Sequence, residues 1–242
     1  MRYLIPFLLL ASCGNKKPPE SVEVNDRLPT VAFHEAMRGN LEAISDAHVA
    51  VIRGDLDEVK RTSAVLAKAP RVEAFPEPWI AMQMDLMMAA GHASRAENLE
   101  QASERVVAIT ARCATCHSSV SQGPSFYQVD GPDSNASLTE RMQNHASGAD
   151  MMWKGLVAAD EGLVKRGAER LAAGVERPDD EAPFPPEILD IEGMLLKDAS
   201  AAAASDSLDE QRVLLGKILP RCGTCHRAAG VTPTIAFGPT LK

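Results

Sequence analysis

At 242 residues the chain is long enough for one large domain or two small ones, and its 45% apolar and 24% charged shares suit a soluble globular protein. Aromatic residues are only 4%, and the apolar content is mostly Ala, Leu, Val and Met, which favours helices over strands and predicts an all-α protein. The formal charge of -8 is scattered, with no basic stripe, which excludes nucleic acid as a partner.

The first residues, MRYLIPFLLLASC, give one Arg, an apolar run from Tyr3 to Leu10 and then small residues up to Cys13. That run is too short to span a bilayer and reads as an export signal over residues 1–12. Leu10-Ala11-Ser12-Cys13 resembles the lipobox of bacterial lipoproteins. The resemblance implies cleavage before Cys13, a diacylglycerol thioether on it, and a membrane anchor facing the periplasm. The bland alternative is a plain secretory signal. Gly14, where inner-membrane lipoproteins commonly have Asp, favours the outer membrane by the same analogy. Without Arg2 the mature chain keeps 24 bases against 33 acids, and the polar, proline-bearing stretch that follows makes residues 13–30 a tether.

Beyond the tether the chain repeats itself. Val59-Lys60-Arg61 aligns with Val164-Lys165-Arg166 at an offset of 105, which also puts Met37 on Met142 and His48 on Trp153. Farther along, Phe75-Pro76 aligns with Phe184-Pro185 and Cys113-Ala-Thr-Cys-His117 with Cys222-Gly-Thr-Cys-His226, both at an offset of 109. The four extra residues fall in the Pro- and Asp-rich stretch 175–186, where a loop absorbs them. The chain is a tandem duplication, with one unit at 31–118, a linker at 119–136, a second unit at 137–230 and a tail at 231–242.

Each unit is predicted to hold four helices. The first runs from about Val31 to Arg53 with Met37, Leu41, Ile44, His48 and Val51 on one face. Gly54-Asp55 breaks it, and Asp55 and Glu58 stand as cap and third residue of the second helix. The third opens near Pro78-Trp79 and ends around Gly91. In the fourth, Leu99, Ala102, Val106, Ile109, Cys113 and Cys116 follow three-and-four spacing, so both cysteines join the apolar face. In the second unit Ser137 and Glu140 form a capping-box signature; Ile188, Ile191 and Leu195 mark its third helix and Leu208, Leu215, Ile218, Cys222 and Cys225 its fourth, where Pro220 is expected to kink the chain.

The two Cys-x-x-Cys-His pentads carry the chemistry. Cysteines three apart share a helical face and reach one side of a flat ligand, while the adjacent histidine turns its ring toward that ligand's centre. This is the geometry of covalent haem c, with thioethers from Cys113, Cys116, Cys222 and Cys225 and proximal iron ligation by His117 and His226. A thioredoxin-type redox pair needs a βαβ setting that the helical periodicity does not offer. A zinc site built from both pentads would join cysteines over a hundred residues apart and leave the histidines without a role.

A CxxCH at the C-terminal end of a unit of this size resembles the cytochrome c′ (class II) type, and the resemblance covers most of residues 31–230. It implies two tandem four-helix bundles, two covalently attached haem c groups, and distal residues supplied by the first helix of each bundle. Met37 and Met142 occupy matching places there, with His145 as the alternative in the second unit, where the first has Asn40. As plain residues both methionines are equally good core fillers. His34, His48 and His92 are weaker candidates: His48 matches Trp153 and reads as packing, and His92 reads as an exposed turn residue after Gly91. The run Met82, Met84, Met87, Met88 covers more than one face and reads as packing or surface.

The expected function is a lipid-anchored dihaem carrier of single electrons, not an enzyme, whose acidic balance steers redox partners bearing a basic docking patch. The alternative is a haem-based protein that binds or senses CO or NO through five-coordinate iron. A dihaem peroxidase is set aside because that family's chains are generally longer. The duplication predicts either a monomer whose halves pair as a pseudo-dimer, or a homodimer.

Overall fold

A computed structural model describes residues 30–70, 72, 75–119, 123–126, 137–173 and 184–234, with side chains from His34 onward. Cys13, the signal and nearly all of the tether lie outside the described residues, as does most of the 119–136 linker and of the tail. The described chain is all-α: α1 (Thr30–Arg53), α2 (Leu56–Ala67), α3 (Glu77–Ala93), α4 (Leu99–Ser119), α5 (Leu138–Ala158), α6 (Glu161–Ala172), α7 (Pro186–Ala204) and α8 (Leu208–Ala228). No described helix is long and apolar enough to cross a membrane.

Local chemistry sets the helix ends. Asp55 accepts the Glu58 amide at 3.0 Å and caps α2, and Asp160 does the same for α6 from Leu163 at 2.9 Å. Ser137 and Glu140 form the full capping box of α5. Pro76 and Pro185 open α3 and α7, whose first turns tolerate a missing N–H. The α1–α2 turn needs a left-handed residue: Gly54 takes it at φ 73°, and its repeat counterpart Ala159 takes it at φ 57° despite its Cβ.

Within each half, consecutive helices pack on one another, antiparallel where side chains report direction. Arg105 on α4 reaches the His92 carbonyl near the end of α3, while Ser119 meets Met82 near its start. Gly148 and Gly167 let α5 and α6 come so close that a Cβ on Gly167 would stand 2.6 Å from the Gly148 carbonyl. The first half has Ala43 and Thr62 at these places, so its first two helices lack that glycine-to-glycine seam.

The halves do not stand apart. α8 packs against α4 and α1, and α5 against α4, so one hydrophobic core holds Ile44, Val51, Val106 and Ile109 together with Trp153, Leu156, Leu215 and Ile218. α8 continues through Pro220 as one helix from Leu208 to Ala228. Proline cannot donate to the carbonyl four residues back, at Gly216, and Ser103 on α4 supplies that hydrogen bond at 2.8 Å. His92, expected in a turn, lies inside the last turn of α3 and is exposed.

Candidate functional site

Both pentads sit in the last two turns of the fourth helix of their half. In α4, Cys113, Cys116 and His117 are half-buried, as are Cys222, Cys225 and His226 in α8, and none of the four cysteines forms a disulfide. Burial pushes the Cys113 and Cys222 thiols up to about 12, the neighbouring cysteine adding to it, and raises Cys116 and Cys225 as well. These are neutral thiols, not the low-pKa thiolates of a redox-active pair. Among the described residues no three His, Cys, Asp or Glu side chains converge as for one metal ion, so the pentads do not assemble a shared zinc cage.

The histidines are held in a reciprocal way. His117 Nδ1 lies 2.9 Å from the carbonyl oxygen of Val157 on α5, and His226 Nδ1 lies 3.3 Å from that of Ile52 on α1. Ile52 and Val157 are equivalent in the repeat, at the offset of 105. Each pentad histidine therefore finds its acceptor on the first helix of the opposite half. A main-chain carbonyl only accepts, so each Nδ1 carries the proton and each Nε2 keeps its lone pair. Burial lowers the proton affinity of both rings, outweighing the opposing carbonyl, so both are neutral at pH 7. A neutral imidazole with its second nitrogen tied to a carbonyl is how proteins present a metal-ligating histidine.

Close backbone approach sets the second motif. A Cβ on Gly223 would stand 2.7 Å from Gly54 Cα and 2.9 Å from the Val51 carbonyl oxygen, so the middle of CGTCH rests directly on the end of α1. Arg227 continues the contact, donating to the Gly54 carbonyl at 3.2 Å. The first motif has Ala114 where the second has Gly223, the one sequence mark of this difference.

The distal candidates separate. Met37 and Met142 are half-buried near the N-terminal ends of α1 and α5. His145 is half-buried one turn beyond Met142; burial first, and then the nearby His226, pull its pKa down to about 4. Its Nε2 is buried with no hydrogen-bond partner. The structure thus brings His145 toward His226. His34 is exposed on α1, and Met82 Sδ lies 3.5 Å from Ser119 Oγ, two residues beyond His117.

His48 packs, as its match with Trp153 implies, but against Trp153 itself: the rings stack with centroids 5.3 Å apart. Phe126 adds a third ring at 6.4 Å from Trp153, and beside it Lys154 pairs with Asp150 at 2.7 Å, both nearly buried. Sequence reasoning missed this ion pair, whose repeat counterparts are Val49 and Ser45. It also missed the Ile52 and Val157 carbonyls, because main-chain acceptors leave no mark in a sequence. Compared with family models, with curated proteins and with solved structures, the chain matches none.

Proposed function

We propose that the chain is a dihaem c-type cytochrome made of two cytochrome c′-like four-helix units, anchored through lipid on Cys13 to a bacterial membrane and facing the periplasm, that carries single electrons between redox partners. The observation that carries this reading is the reciprocal pair of Nδ1–carbonyl contacts, His117 to Val157 and His226 to Ile52, which present two neutral Nε2 lone pairs beside two cysteine pairs. Cys113, Cys116, Cys222 and Cys225 would hold two haems as thioethers, with His117 and His226 as proximal ligands. Bound haem supplies a one-electron ferric–ferrous couple whose potential follows axial ligation, burial and charge.

The chain's own residues do the remaining work. The two carbonyls fix tautomer and ring orientation, and burial keeps the imidazoles unprotonated. In the second unit the unpartnered Nε2 favours His145 over Met142 as the distal ligand. In the first unit Met37 holds that role by repeat position. The acidic balance of the chain attracts a basic docking patch, so association with a partner weakens as salt rises.

A second reading rests on one difference. Asn40 stands where the second unit has His145, so a haem held by the first unit would find no such imidazole and, without Met37 as a ligand, would be open to CO or NO. Visible spectra of the exported protein decide the matter. The expected result is a pyridine haemochrome giving two haems per chain and a sharp ferrous spectrum that CO leaves unchanged. A CO shift in half the haem that His145→Ala enlarges to the whole of it moves the function of the first unit to gas binding. Absence of haem overturns the reading.

A further inference from the structure

Two methionines of the α3 run, Met84 and Met88, are not spent on packing. Met84, Met87 and Met88, with His92 one turn further on, line a single open cavity of about 460 Å³ against the end of α2, bordered by Ala67, Gly91 and Arg95. Their spacing of three, four and eight residues from Met84 keeps them along one side of the helix. Met84 is 41% and Met88 59% exposed, so neither thioether is a core filler. His92 is also exposed, and the turn that carries it is pinned by Arg105 donating to the His92 carbonyl at 2.7 Å.

The repeat shows that the bundle does not need these side chains. At the offset of 109 the second unit has Gly193, Leu196, Lys197 and Ala201, and α7 forms there all the same. Only Leu196 keeps the apolar character of its counterpart, Met87. Three thioethers are soft donors and an imidazole suits copper; no carboxylate lines the cavity, and Arg95 adds positive charge at its rim. Such a set repels hard dications and suits a soft monovalent ion.

We infer that α3 carries a Cu(I)-binding site formed by the thioethers of Met84, Met87 and Met88 and the imidazole of His92. The site is distinct from the CxxCH motifs and does not depend on them. Its occupant is defined by donor chemistry: Cu(I), with Ag(I) as a redox-inert substitute, and not Zn(II).

The test is an anaerobic titration of the full-length, exported protein with Cu(I) in competition with bicinchoninate, after iodoacetamide has alkylated any free thiol. The expected result is uptake of one Cu(I) per chain with a Kd tighter than about 1 μM, displaced by Ag(I) and untouched by Zn(II). The near-isosteric variant M84L/M87L/M88L is expected to lose that uptake while its far-ultraviolet dichroism and haem spectrum stay as in the parent. His92→Asn is expected to weaken uptake on the same fold. No uptake by the parent, equal uptake by the triple variant, or equal binding of Zn(II) overturns the inference. If the chain carries no haem, the alkylated protein still reports on the thioethers, so the two readings fail separately.

Discussion

His48 and Trp153 hold equivalent places in the repeat, yet they are different side chains, and the fold stacks one upon the other. A position that meets its own counterpart across the two halves can be filled by two unlike residues only when both are encoded in one chain. The imidazole is the costly partner. Burial, with Lys154 close by, pulls the His48 pKa from 6.5 to about 3. The unfolded chain binds a proton near pH 6.5 and the folded chain does not until about pH 3, so the unfolded state holds more protons between those values. Stability is therefore full above about pH 6.5 and declines as pH falls toward 3. Asp150 acts in the opposite sense lower in the range, since burial outweighs Lys154 and raises its carboxyl. Urea unfolding of the haem-loaded protein at stepped pH should show this decline, and His48→Phe, which keeps an aromatic ring on Trp153, should flatten it. An unchanged slope in the variant would place the acid sensitivity elsewhere. The pairing of positions 48 and 153 is legible from the repeat, but their contact is not, because no pattern within one copy says which faces two copies turn toward each other.

Helix limits were the most legible feature, because they rest on interactions spanning three or four residues. The Asp55 cap, the Ser137–Glu140 box and the Gly54 turn all form where the residue types place them. The continuation of α8 through Pro220 has a long-range support: Ser103, 113 residues away in sequence, donates to the carbonyl that proline leaves unpaired. A Cβ at Gly216 would make only ordinary contact with Glu104 Cα, at 3.6 Å, so the bond does not depend on glycine there. Ser103→Ala should orphan a buried carbonyl at a cost of about 1–3 kcal/mol. Pro220→Ala restores an intrahelical donor, so in that background the serine substitution should cost markedly less, and a double-mutant cycle by chemical denaturation measures the coupling. Equal costs in both backgrounds would mean that the hydroxyl does not stand in for the amide that proline lacks. The same limit hid His145: its spacing from Met142 was visible, but its approach to His226 depends on how α5 lies against α8.

Across the molecule, the shared core and the crossed histidine contacts tie the halves together more closely than a linker would. An engineered protease site within residues 127–136 should therefore leave the cleaved halves co-eluting on size exclusion, with both pentads as protected from thiol reagents or haem loss as before. Halves that separate on cleavage would show that the linker, not the shared core, holds them. The crossed contacts carry a further consequence for how such a chain can change. Were the units two copies of one polypeptide, any substitution beside Val157 would be forced on Ile52 as well, and the two centres would stay alike. Joined in a single chain, each half supports its neighbour's histidine while its own sequence drifts freely. Asn40 against His145, Ala114 against Gly223, and a methionine-lined α3 against a plain α7 are differences that a symmetric pair could not hold. Within one chain, a motif that occurs twice can be tuned apart, each copy through residues belonging to the other half.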